Sequence, residues 1–278
     1  DYLGGPYWCD EWRKKPKFSD PEVQRKALSE VKERGMTRAA IHTCNTGFLD
    51  QAGFRKDAFW LYQSRWRPDL PMAHILPHWN WKGREGEVTP VFVYTSYPSA
   101  ELFVNGVSQG IRTFAEPDGK TPCLGEDAMK RFRLMWNDVV YQPGELHVVA
   151  YDADGKAVAE KTIRTSGKAA AIKLTPDRTV LKADGEDLCF VNVSLTDKDG
   201  NPVPVDNRLV KVKVSGAGSF KAIANGDPTC LQSFQEPQMN LFSGQLTVLV
   251  QSGTAPGEIT VEVSGKGVRK ATMKIKTE

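Results

Sequence analysis

Apolar positions follow two spacings along this chain, and the switch between them marks where its character changes. Val23, Ala27, Leu28 and Val31 fall on one stripe at helical spacing, which predicts an amphipathic helix over Glu22–Arg34 packed on a larger body. Ser19 and Pro21 open it with a cap and an early proline, and Gly35 stops it. A second helix is predicted through Lys56–Trp66, ended by Arg67-Pro68 because proline disfavours the helical region for the residue before it. From Glu87 onward the period is that of a half-buried strand, with every second residue apolar.

Val91 and Val93 share one face, and Ala100, Leu102 and Val104 run into Asn105-Gly106, a pair that favours a tight hairpin. Leu146, Val148 and Ala150 lead to a second turn at Asp154-Gly155, and the pattern resumes through Ala157 and Ala159. These strands predict a small antiparallel domain ending near Thr165, with Thr113–Lys130, rich in Pro and Gly, as a long loop. Ser166–Ala171 reads as a short linker. After it, alternating sets recur at Val191, Val193 and Leu195; at Val210, Val212 and Val214; at Leu246, Val248 and Val250; at Ile259, Val261 and Val263; and at Ala271, Met273 and Ile275. Strands with turn signals such as Asp199-Gly200 at this spacing describe an immunoglobulin-like sandwich. The expected fold is therefore mainly β: two tandem immunoglobulin-like β-sandwich domains, 89–165 and 166–278, behind a mixed helical and irregular segment, 1–88. Two helices and much irregular chain would struggle to make an independent core, so that front segment reads as part of something larger.

Composition adds little beyond a packed protein. Of 278 residues, 40% are hydrophobic and 26% charged, too apolar for disorder. Thirty-seven basic and 34 acidic residues leave +3 with the signs interspersed, which implies no nucleic-acid partner; the cluster Arg13-Lys14-Lys15 with Lys17 is short, broken by Pro16, and reads as a solvated loop. Five cysteines, Cys9, Cys44, Cys123, Cys189 and Cys230, are scattered with no metal spacing; no metal and no cofactor are expected. A Cys189–Cys230 bridge would imitate the inter-sheet disulfide of antibody domains, but the region lacks the core Trp that accompanies it. No run of about 18 apolar residues suggests a membrane span, and the opening Asp1-Tyr-Leu-Gly-Gly reads as mid-protein sequence. Compartment stays open, with periplasm or extracellular space compatible; so does oligomeric state.

The segment Gly47-Phe-Leu-Asp-Gln-Ala-Gly-Phe-Arg-Lys-Asp-Ala-Phe-Trp-Leu-Tyr-Gln-Ser-Arg-Trp66, followed by His74-Ile-Leu-Pro-His-Trp-Asn-Trp-Lys-Gly-Arg-Glu-Gly86, closely resembles the end of the catalytic barrel in family 2 glycoside hydrolases of the β-galactosidase type. Asp1-Tyr-Leu-Gly-Gly-Pro resembles the loop that leaves the last barrel strand in those enzymes. Glu101-Leu-Phe-Val-Asn-Gly106 is similar to the small β-domain after the barrel, and Ala224-Asn-Gly-Asp-Pro228 to the immunoglobulin-like domain that closes many such chains. The resemblance thus covers the whole sequence and implies that 1–88 is the C-terminal remnant of a (β/α)8 barrel.

It also implies where the chemistry lies. A retaining glycosidase needs two carboxyl groups about 5 Å apart, and in the family both lie upstream of the segment matching Asp1, so no catalytic residue is expected in this chain. Glu11, Asp50, Glu85 and Glu87 read as loop and turn residues, and His42, His74, His78 and His147 find no nucleophile-elbow spacing. The loop after the last barrel strand remains, because barrel active sites sit on such loops. There the resemblance places Asn45 beside sugar; the lysine by which β-glucuronidases pair with the sugar carboxylate would stand at Gly47, which disfavours that specificity. Trp79, and less so Trp81, offer faces that a pyranose could stack on, against the commoner fate of a buried Trp; His78 is a further binding candidate, against a structural hydrogen-bonding role. The carbohydrate partner is expected to reach this chain through the barrel. The competing reading is a non-catalytic carbohydrate-binding or adhesive module, but residues 166–278 hold only four phenylalanines and no Trp or Tyr, which suits a core better than a platform.

Overall fold

The computed structural model describes residues 47–115 and 126–278; the predicted helix over Glu22–Arg34 and the candidate Asn45 lie outside them. The second predicted helix is present as α1 (Asp57–Trp66), whose last turn closes with the Arg67 amide donating to Gln63 O. After it come β1 (Ala73–Leu76), β2 (Val91–Thr95), β3 (Ser99–Val104), β4 (Val107–Thr113), the short α2 (Glu126–Met129), β5 (Leu134–Trp136), β6 (Glu145–Tyr151) and β7 (Ala157–Arg164).

These strands form the first sandwich from two sheets, ordered β1-β2-β5 and β4-β3-β6-β7. Val91 and Val93 of β2, Ala100, Leu102 and Val104 of β3, and Leu146, Val148 and Ala150 of β6 are all buried in one core with Ile75, Leu134 and Trp136. The alternation read from the sequence is therefore the inward face of each strand, and each such Val or Leu contributes about 1.5–3 kcal/mol by leaving water. The Asn105-Gly106 pair makes the β3–β4 hairpin turn with both residues at positive φ, 50° and 81°, the primed geometry that matches strand twist. One strand extends into the front segment: β1 pairs antiparallel with β2, from Ala73 opposite Thr95 to Leu76 opposite Phe92.

The second sandwich contains β8 (Ala171–Pro176), β9 (Val180–Leu181), β10 (Leu188–Thr196), β11 (Leu209–Gly216), β12 (Gly218–Ala224), β13 (Gln238–Asn240), β14 (Gln245–Ser252), β15 (Gly257–Gly265) and β16 (Ala271–Thr277). A sheet ordered β12-β14-β10-β8 faces one ordered β13-β11-β15-β16-β9. Their inner faces meet in a core that includes Val191, Val193, Leu195, Val210, Leu246, Val248, Val250, Ile259, Val261, Val263 and Ile275. Cys189 and Cys230 are both free; Cys189 sits in this core and its thiol donates to Arg178 O at 3.2 Å.

The joint between the sandwiches is clasped from both sides. Asn80 Oδ1 accepts from the Ser166 amide (2.8 Å) and hydroxyl (2.9 Å), and the Asp197 carboxylate accepts from the Gly167 amide (2.9 Å). Asp197 is itself nearly inaccessible and also accepts from Asp199 N, Asn201 N and Asn201 Nδ2. Burial raises its pKa, but these donors outweigh that cost and hold the carboxyl at about 2.

Candidate functional site

The candidates within the described residues lie where α1 meets the first sandwich. Strand β1 ends at Leu76, and the cis bond to Pro77 precedes His78, Trp79, Asn80 and Trp81. His78 stacks on Trp81 with ring centres 4.5 Å apart, and its Nδ1 accepts from the Asn80 amide at 3.2 Å. Burial lowers the pKa of His78, with the charge of Asp57 pulling the other way. Beside it, His74 Nε2 contacts Asp57 Oδ1 at 2.8 Å, and the His74 ring stacks between Trp60 (5.1 Å) and Tyr94 (6.2 Å). The corner thus holds two imidazoles, each stacked on aromatic rings, near one carboxylate that His74 engages.

Trp79 does not join that surface. It is fully buried in the first sandwich, its indole N–H donates to Gln142 O at 2.9 Å, and its ring meets Tyr141 edge to face at 4.9 Å. No face of it is open to a sugar, so the stacking role expected of Trp79 is corrected to a core role: the polar handle of the indole found a carbonyl inside the sandwich. Trp81 is half-buried, with the Arg84 guanidinium over its ring at 5.4 Å, and its indole N–H has no partner among the described residues. His78 and Trp81 are thus in contact with each other, and Trp79 lies apart from them in the sandwich core.

The described carboxylates of the front segment all have structural partners. Asp50 Oδ1 accepts from the amides of Ala52 and Phe54, both at 2.9 Å; burial raises its pKa against the pull of those amides. Glu85 receives the Gly83 amide at 3.0 Å, and Glu87 pairs with Arg84 at 2.8 Å. No group of three or more side chains placed to hold a metal occurs among the described residues. Cavities of about 260 and 740 Å³ open beside Arg112 and beside Phe114 and Phe132, and neither is lined by His78, Trp79 or Trp81. Among the described residues no helix is long and apolar enough to cross a membrane.

Sequence reasoning missed one contact surface. Thr247 points outward from β14, between the core residues Leu246 and Val248, yet only 2% of it is exposed. Its hydroxyl donates to Ala52 O at 2.9 Å, while Gln51 Nε2 reaches Asp227 O at 2.6 Å. The front loop thus docks on the last sandwich. The signal was a single polar residue inside an apolar alternation, which looks the same as any solvated strand position.

Comparison with known proteins agrees with this architecture. Residues 172–274 match the glycoside hydrolase family 2 C-terminal domain 5, and residues 86–159 match a domain of unknown function (DUF4982). The β-galactosidase BoGH2A of Bacteroides ovatus is 38% identical over 232 residues, which cover 84% of this chain and 25% of that protein. The chain belongs to glycoside hydrolase family 2 and corresponds to its C-terminal part. A β-glucuronidase of Formosa agariphila is 24% identical over 281 residues, 99% of this chain and 24% of that protein. The crystal structure of a β-glycosidase from Bacteroides vulgatus superimposes with a TM-score of 0.74 at 32% identity, over 84% of this chain and 28% of that one. The family 2 chain described here therefore spans about a quarter of the length of these relatives.

Proposed function

We propose that this chain is the C-terminal part of a retaining β-galactosidase-like enzyme acting on terminal β-glycosides, and that it hydrolyses nothing by itself. The observation that carries the proposal is the 38% identity to the Bacteroides ovatus β-galactosidase across 84% of the chain. Its second half is supported by the engaged state of Asp50, Asp57, Glu85 and Glu87, none of which forms the pair of free carboxyl groups that retaining hydrolysis requires at about 5 Å. In this reading the barrel upstream supplies nucleophile and acid/base, the segment containing Asn45 and the His78–Trp81 corner border the sugar site, and the sandwiches brace them.

The test is to assay the longer protein and the 278-residue chain side by side on chromogenic β-galactoside, β-glucuronide and β-mannoside. Turnover of the galactoside by the longer protein alone is the expected result. Turnover by the purified shorter chain refutes the inactive-fragment reading, and preference for the glucuronide refutes the specificity.

A further inference from the structure

We infer that the last sandwich is a positioning element for the loop Gly47–Arg55, held through a latch formed by Thr247 and the turn Asn225-Gly226-Asp227. The inference deepens the glycosidase reading and rests on it, because this loop starts two residues after Asn45 in the sequence.

The loop is closed at its base. Leu49 bridges Arg55, and the Lys56 amide donates to Phe48 O at 2.9 Å. Its tip is set by Asp50, whose Oδ1 caps the Ala52 and Phe54 amides. Every long-range hydrogen bond described for this tip then goes to the last sandwich: Gln51 Nε2 to Asp227 O, and Thr247 Oγ1 to Ala52 O. The third element is steric. Gly226 is buried, and a Cβ built there would overlap Asp50 Oδ2. That carboxylate cannot swing aside cheaply, since turning it forfeits two charge-assisted bonds to backbone amides. Gly226 therefore lets the two backbones approach, and a side chain there would push the loop off.

The receiving surface is set before the loop arrives. Asn225 is only 2% exposed; its Nδ2 donates to Asn240 O at 2.8 Å and its Oδ1 accepts from the Asp227 amide at 3.0 Å. Asp227 Oδ1 in turn accepts from the Thr229 amide and hydroxyl. A turn tied this fully to itself presents Asp227 O and the bare Cα of Gly226 in one geometry. A shift of the order of 1 Å in a substrate-bordering segment can cost about a hundredfold in rate, so a rigid receiver on a remote domain is a means of keeping that segment in place.

Two readouts test this. In the 278-residue chain, amide exchange of the 48–55 backbone is measured for wild type, Gly226→Val, Thr247→Val and Gln51→Ala. About tenfold faster exchange in Gly226→Val, and a smaller acceleration in the other two, with β10 and β15 still protected, is expected. Unchanged exchange in Thr247→Val and Gln51→Ala overturns the latch even if Gly226→Val fails to fold. In the longer protein, Thr247→Val and Gln51→Ala should lower kcat/KM on the chromogenic galactoside by about tenfold at unchanged melting temperature; loosened exchange with wild-type kinetics overturns the positioning role. A wild-type enzyme with no glycosidase activity refutes the functional reading instead, and the positioning role falls with it, while exchange still judges the latch.

Discussion

Replacing Trp79 separates a core indole from a sugar platform, because the two roles predict different quantities. Truncation to Ala removes a fully buried ring, the edge-to-face contact with Tyr141 and the donor to Gln142 O. Losing a buried aromatic of this size costs about 3–5 kcal/mol, and leaving the carbonyl without a partner costs about 1–3 kcal/mol more. Against a typical domain stability of about 5–15 kcal/mol, Trp79→Ala should unfold the first sandwich or bring it close to unfolding. Trp79→Phe keeps most of the apolar contact and loses mainly the hydrogen bond, so about 1–3 kcal/mol is expected. At about 4–8 °C per kcal/mol for a domain of this size, even the Phe variant shifts melting measurably. The assay is urea unfolding of the chain with amide exchange resolving β2, β3 and β6 from the second sandwich, which avoids assuming one transition for two domains. A Trp79→Ala loss below about 1 kcal/mol, or a Trp79→Phe variant of unchanged stability that binds sugar more weakly, would refute the core assignment.

Two further outcomes follow from the second sandwich. Its Asp197 carboxyl is held at about 2, below the ordinary 3.8; a depressed folded-state value stabilises above the unfolded pKa and is lost as pH falls through the folded one. The urea midpoint of this sandwich should therefore fall between about pH 4 and pH 2 in wild type, while Asp197→Asn should begin lower at pH 7 and change less over that window; parallel curves would contradict the assignment. Burial pushes the Cys189 thiol up to about 12, so iodoacetamide at pH 8 should leave it unmodified while half-buried Cys230 is labelled. Peptide mapping checks this, and labelling of Cys189 in the folded chain would refute it.

Strands whose apolar residues alternate without interruption were legible from the sequence because their inward faces are the core, as with Val191, Val193 and Leu195 of β10. Strands that break the alternation were not. β12 carries a register shift between Phe220 and Ala222, so its inward residues are not two apart, and a bulge of this kind erases the period that marks a strand. β1 spans four residues including the His74 that binds Asp57, too short for its period to stand out. The aromatic corner after β1 was legible as a segment but not as side chains. Pro77-His78-Trp79-Asn80-Trp81 shows two indoles, and only the position of Gln142 and Tyr141, about sixty residues later in the chain, decides that Trp79 turns inward while Trp81 stays beside His78.

The clasped joint has a mechanical consequence. The front segment reaches the linker through Asn80 and Ser166, the linker is tied to the last sandwich by Gly167 and Asp197, and the front loop meets that same sandwich through Gln51 and Thr247. Tandem domains joined only by a linker bend there by default, but a bend at 166–171 in this chain would also break the Gln51–Asp227 and Thr247–Ala52 hydrogen bonds.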